Sequence, residues 1–147
     1  MKIHSGTNQI EAGEAEYLYT GTSQIPGSGN GLFTAVPIYK DEIISLFFGE
    51  SISKKEAAIR ADNGDDAFFI NMPDGSILDS MHVACFAKFA NDPTGIIKSA
   101  FKSNSKITLD ENNRVCIVAK RKINEGEEIF CEYGKRYWEN HKKRYEL

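Results

Sequence analysis

At 147 residues, with 41% hydrophobic and 27% charged side chains, the chain fits one globular domain and leaves no room for a second. Its net charge of −3, from 18 basic and 21 acidic residues, disfavours direct nucleic-acid binding and suits a basic peptide partner better. No apolar run approaches the roughly 18 residues of a membrane-spanning helix, and no charged-then-apolar signal opens the chain, so no membrane association and an intracellular location are expected.

Residues 1–13 show no useful periodicity, and 1–16 read as an N-terminal arm. Short apolar and aromatic runs bounded by Gly, Pro or Asp predict strands at 17–22, 32–36 and 42–48. Ser53-Lys54-Lys55-Glu56 fits a reciprocal capping box and predicts a helix to about Ala61, with Gly64 ending it. Residues 67–70 and 76–78 flank the turn signal Pro73-Asp74-Gly75, which predicts a hairpin. Residues 83–90 are a small helical segment at most, and 92–105 form a long loop broken by Pro93 and Gly95. Strands follow at 106–109, 115–119 and 128–132, and a helix is expected from Lys135 onward. The order predicts a mostly β domain with short helices inserted and one at its end.

Three segments invite a chemical reading, and each has an ordinary one. Gly29-Asn30-Gly31 lets main chain approach a ligand, because glycine tolerates positive φ and presents no Cβ, but Asn-Gly also makes plain hairpin turns. Asn91, followed by Asp92 and Pro93, reads alone as a turn residue. Tyr133 follows a strand that Glu127 and Glu128 open, and the simple reading is an edge tyrosine above a solvated strand start. His82 and Cys85 raise a nucleophile-and-base alternative without an orienting third group, and a buried structural cysteine is the commoner outcome. Cys85, Cys116 and Cys131 are odd in number and widely separated. They argue against a disulfide framework and a thiolate zinc site, and no metal is expected.

In their wider context the segments resemble the SET-domain family of protein lysine methyltransferases. Ser23 to Ala35 with Ile38, Asp41-Glu42-Ile43-Ile44 and Gly49-Glu50 looks like that family's opening motif. Lys88-Phe89-Ala90-Asn91 resembles its arginine-phenylalanine-x-asparagine run, with Asp92 and Pro93 where histidine and serine are common, and Asn104 as a second asparagine. Residues 119–134, ending Cys131-Glu132-Tyr133-Gly134, resemble its closing motif.

The resemblance implies a SET-domain, β-clip-like fold of small sheets around a threaded C-terminal segment. It divides the chain into the arm 1–16, the SET domain 17–134 and a C-terminal helix 135–147 that completes the site in place of a cysteine-rich zinc segment. It implies S-adenosylmethionine as cofactor, held by Gly29, Asn30, Gly31, Leu32, Asn91, Asp92, Tyr133 and Trp138, with Tyr133 as the catalytic residue. Phe47, Phe48, Cys131 and Tyr137 are the implied substrate contacts; Phe47 and Phe48 replace a tyrosine common before the Gly-Glu pair, and Cys131 replaces a Phe or Tyr that limits methyl number. The implied partner is a histone-tail peptide, attracted in part by Asp62, Asp65, Asp66 and Glu132, with a nuclear or chromatin location in a eukaryotic cell. A homodimer is compatible with a domain this small. The competing reading is a catalytically silent SET-fold module that binds cofactor or a basic peptide.

Overall fold

A computed structural model of the chain describes residues 9–72, 75–93 and 100–132. The first element differs from its predicted form. Glu14–Tyr17 make a single helical turn, α1, and β1 begins at Leu18 and runs to Thr22. The turn sends the Tyr17 side chain inward, where its hydroxyl donates to the Ile44 carbonyl at 2.6 Å, so this residue anchors the arm to the core instead of extending a strand. Gln9 also bridges to Ile43, which ties the arm's end to the sheet edge.

β2 (Asn30–Thr34) pairs antiparallel with β1, and β3 (Ile43–Leu46) follows within the predicted strand. Glu50–Ile52 forms β4, a strand with no alternating signal of its own. The preceding Gly49 explains its position: a Cβ there would lie 2.4 Å from the Asp79 carbonyl oxygen, so only glycine permits this approach. In α2 (Lys54–Asp62) the Ser53 hydroxyl accepts from the Glu56 N–H at 3.1 Å. The expected return contact from Glu56 is replaced by an ion pair with Arg60 Nε at 3.1 Å. Gly64, with φ of +79°, turns the chain out of the helix, as glycine does most cheaply.

β5 (Phe69–Asn71) and β6 (Ile77–Asp79) form the predicted hairpin, and Ala87–Phe89 make a short 3₁₀ turn. β7 (Ser105–Leu109) and β8 (Val115–Ala119) pair antiparallel over five positions. The expected strand 128–132 divides at Phe130 into β9 (Glu128–Ile129) and β10 (Cys131–Glu132), which belong to different sheets. The cause is local. The Phe130 carbonyl accepts from the N–H groups of Asn104 and Ser105 at 3.0 and 3.1 Å, which turns the chain from one partner to the next.

Among the described residues three small sheets result, ordered β1-β2-β9, β10-β7-β8-β3 and β4-β6-β5. The first two pack together through Leu32, Ile44, Ile117 and Ile129, with Ile38 and Ile123 from bridged loops, all fully buried, and Ile70 and Leu78 of the third pack against this core. Each such side chain stabilises the fold by roughly 1.5–3 kcal/mol relative to exposure. The segment 128–132 runs through the middle: Cys131 N–H donates to the Asn91 carbonyl at 2.9 Å on one side, while β10 pairs parallel with β7 on the other. The mostly β architecture with a threaded segment therefore agrees with the reading from sequence.

Candidate functional site

The glycine turn is an ordered loop closed on itself. Ser23 N–H donates to the Gly29 carbonyl at 2.8 Å and Ser28 N–H to the Ile25 carbonyl at 3.2 Å, with Gly27 and Gly29 at φ of +79° and +67°. Among the described residues, no atom outside Gly29 and its two chain neighbours lies within 4 Å of where a Cβ on it would stand, so those residues leave the main chain there open to a ligand. Gly31 has the opposite surroundings, because a Cβ on it would meet the Glu128 carboxylate at 2.3 Å. Leu32 is fully buried and anchors the strand that carries the turn.

Asn91 joins this turn to the rest of the site. Its Nδ2 donates to the Asn30 carbonyl at 3.0 Å, and its own carbonyl accepts from Cys131 N–H. Thus one side chain and one main-chain bond link three segments separated by some 60 and 40 residues. Beside Asn91 lies a cavity of about 160 Å³ whose lining includes Asp92, Phe47, Phe68, Phe69 and Ser80. Ser80 Oγ is buried and has no hydrogen-bond partner among the described residues. A hydroxyl left unsatisfied costs free energy that a bound polar group would recover. Lys88 lines the same cavity. Its Nζ donates to the carbonyls of Ser80, Met81 and Val83 at 3.0, 3.4 and 3.1 Å and lies 5.3 Å from the Phe68 ring centre.

The SET domain profile matches residues 29–134, from the glycine turn through the end of the closing motif. The chain belongs to the SET-domain family. Among proteins similar to it, the histone-lysine N-methyltransferase mes-2 of Caenorhabditis elegans is 32% identical over 119 residues, covering 79% of this chain and 15% of that protein. The histone-lysine N-methyltransferases CLF of Oryza sativa subsp. japonica and EZ1 of Zea mays are each 34% identical over 112 residues. Those alignments cover 72% of this chain in both cases, and 12% and 11% of the relatives. The chain thus spans less than a sixth of the length of these SET-domain proteins.

Of the residues that the SET-domain resemblance singled out, the structure brings Gly29, Asn30, Gly31, Asn91, Asp92 and Phe47 into one neighbourhood. Phe48 is 47% exposed and faces a separate, larger cavity of about 620 Å³ with Phe86, Phe89 and Thr20. Cys131 is fully buried, and burial pushes its thiol up to about 12 against the smaller opposing effect of a hydrogen bond with Ser105. It is consequently a neutral thiol inside the core. Asp62, Asp65 and Glu132 are exposed, whereas Asp66 is 2% exposed. Tyr133, Tyr137 and Trp138 lie outside the described residues. His82 is exposed, and the Cys85 sulfur is held instead by the main chain of Leu46 and Phe48.

Two residues carry more of the site than sequence reasoning allotted them. Asn104 donates through Nδ2 to the Glu128 carbonyl and accepts from Phe130 N–H, both at 2.9 Å, so it steers the threaded segment from within the core. Glu128 is 2% exposed and not a solvated strand start. The signal for it was Gly31, a glycine inside a strand, which marks a place where something approaches closely.

Proposed function

We propose that this chain transfers a methyl group from S-adenosylmethionine to the side-chain amine of a protein lysine, in a basic histone-tail peptide within the nucleus. The observation that carries the reading is the Asn91 Nδ2 to Asn30 carbonyl hydrogen bond, which unites the two segments assigned to the cofactor. The residues present suit such a group: the open main chain at Gly29 would take its amino-acid end, and Asn91 and Asp92 its adenine end, with Leu32 fixing the strand behind. When bound, the cofactor supplies an electrophilic methyl on a sulfonium.

The 160 Å³ cavity beside Asn91 is too small for a whole cofactor and suits a single side chain. Burial between Phe47, Phe68 and Phe69 would disfavour the charged form of a lysine, whose free pKa is about 10.4, while Asp92 on the same wall would act in the opposite direction. Tyr133 would orient that amine through its hydroxyl, and Tyr137 and Trp138 would close over substrate and cofactor. Cys131, the residue two before Tyr133, would support the channel from the core side. Phe48 and its larger cavity would receive neighbouring parts of the peptide. Holding amine and methyl in line is worth several kcal/mol of barrier.

Incubation of the chain with isotopically labelled S-adenosylmethionine and core histones, followed by mass spectrometry, tests the reading. Label on a histone lysine is the expected result. Cofactor binding without label on any protein would favour the silent binding module.

A further inference from the structure

We infer that Glu128 is a positioning residue for the cofactor turn: a buried carboxylate that clamps residues 23–31 from below and so sets the main-chain geometry the cofactor meets. The inference rests on the methyltransferase reading and extends it to a residue outside the assigned contacts. Glu128 is 2% exposed. Its Oε2 accepts from the Ser23 hydroxyl at 2.7 Å and its Oε1 from the Gln24 N–H at 2.8 Å. Ser23 Oγ in turn accepts from Ile25 N–H at 3.1 Å, and Ser23 N–H closes the loop on the Gly29 carbonyl at 2.8 Å. Among the described residues, both hydrogen bonds of the carboxylate therefore fall on the base of the glycine turn.

The same carboxylate fills the space against Gly31, where a Cβ would stand 2.3 Å from Oε2. A side chain at this position would therefore displace the Glu128 carboxylate from its place against the turn. A carboxylate accepting an N–H and a hydroxyl in a dry site makes stronger hydrogen bonds than neutral partners do. It holds the loop through two hydrogen bonds that an apolar side chain of equal size could not make. β9 carries Glu128 as partner of Phe33 in β2, so the clamp is built on paired strands and not on a loop.

The test uses the full chain and the isosteric variant Glu128→Gln, which keeps an acceptor for Gln24 N–H but presents an amide donor to Ser23. Two readouts are needed: the S-adenosylmethionine dissociation constant by calorimetry, and amide hydrogen exchange at Ser23, Gln24 and Ile25. The expected result is a ten-fold or greater weakening of cofactor binding with faster exchange at those three amides, while the peptide KM stays within two-fold. Ser23→Ala, which keeps Glu128 and removes only the hydroxyl contact, is expected to weaken cofactor binding three- to ten-fold, and it decides the matter if Glu128→Gln does not fold. Cofactor affinity within two-fold of the parent overturns the inference, as does unchanged exchange or an equal rise in peptide KM. If the parent binds no cofactor, the functional reading falls instead, and the exchange rates alone decide whether the clamp exists.

Discussion

Asn104 illustrates how much a single buried amide decides here. Its two hydrogen bonds satisfy one carbonyl and one N–H on the threaded segment, where β9 hands over to β10. In Asn104→Ala both main-chain groups lose their partners in a site that is 1% exposed. At about 1–3 kcal/mol for each of the two orphaned groups, the expected loss of stability is about 2–6 kcal/mol in urea unfolding. A loss below about 0.5 kcal/mol would show that the handover does not depend on this side chain. Lys88 has a comparable role on the cavity wall. Its three donors are all committed to the carbonyls of 80–83, so it fixes the loop that carries the buried Ser80 hydroxyl.

At the scale of elements, two different forces hold the pieces. The helix α2 buries only Ala57 and leaves Ile59 half exposed, so its attachment comes from Arg60, which reaches Asp79 at 2.8 Å and Glu50 at 3.2 Å. The three sheets are held by an apolar interior that also encloses ionisable groups. Burial raises the thiols of Cys131 and Cys116 and, with Glu14 and Glu42 nearby, the Tyr17 phenol. Each group stays protonated in the fold at a pH where the unfolded chain has released its proton. The unfolded state then binds fewer protons, and stability falls as pH rises. The expected urea midpoint is level near neutrality and declines from about pH 8.5–9 upward, where free thiols ionise. A midpoint that holds level to about pH 11 would show that these groups titrate alike in both states.

Across the whole molecule, what sequence disclosed depended on how local its cause was. β8 was legible to the residue because Val115–Ala119 is a continuous apolar run between polar turns. The hairpin of β5 and β6 was legible from its turn residues. β4 was not, since its reason for being a strand is the contact of Gly49 with Asp79, thirty residues away. The split at Phe130 was hidden for the same reason, as the groups that bend the chain belong to Asn104 and Ser105. In the site, the glycine turn and Asn91 could be named from their motifs, but their direct hydrogen bond and the buried state of Glu128 arise only when distant strands pair.

These contacts bring segments far apart in the chain together beside Cys131, two residues before Tyr133 in sequence. The most direct test compares the parent with Tyr133→Phe in the transfer of labelled methyl from S-adenosylmethionine to histone peptides, with cofactor affinity measured alongside. The expected outcome is lysine methylation by the parent and a rate at least about 100-fold lower in the variant, a loss larger than any change in cofactor affinity, in keeping with the loss of a positioned hydroxyl. A variant as fast as the parent would contradict the account.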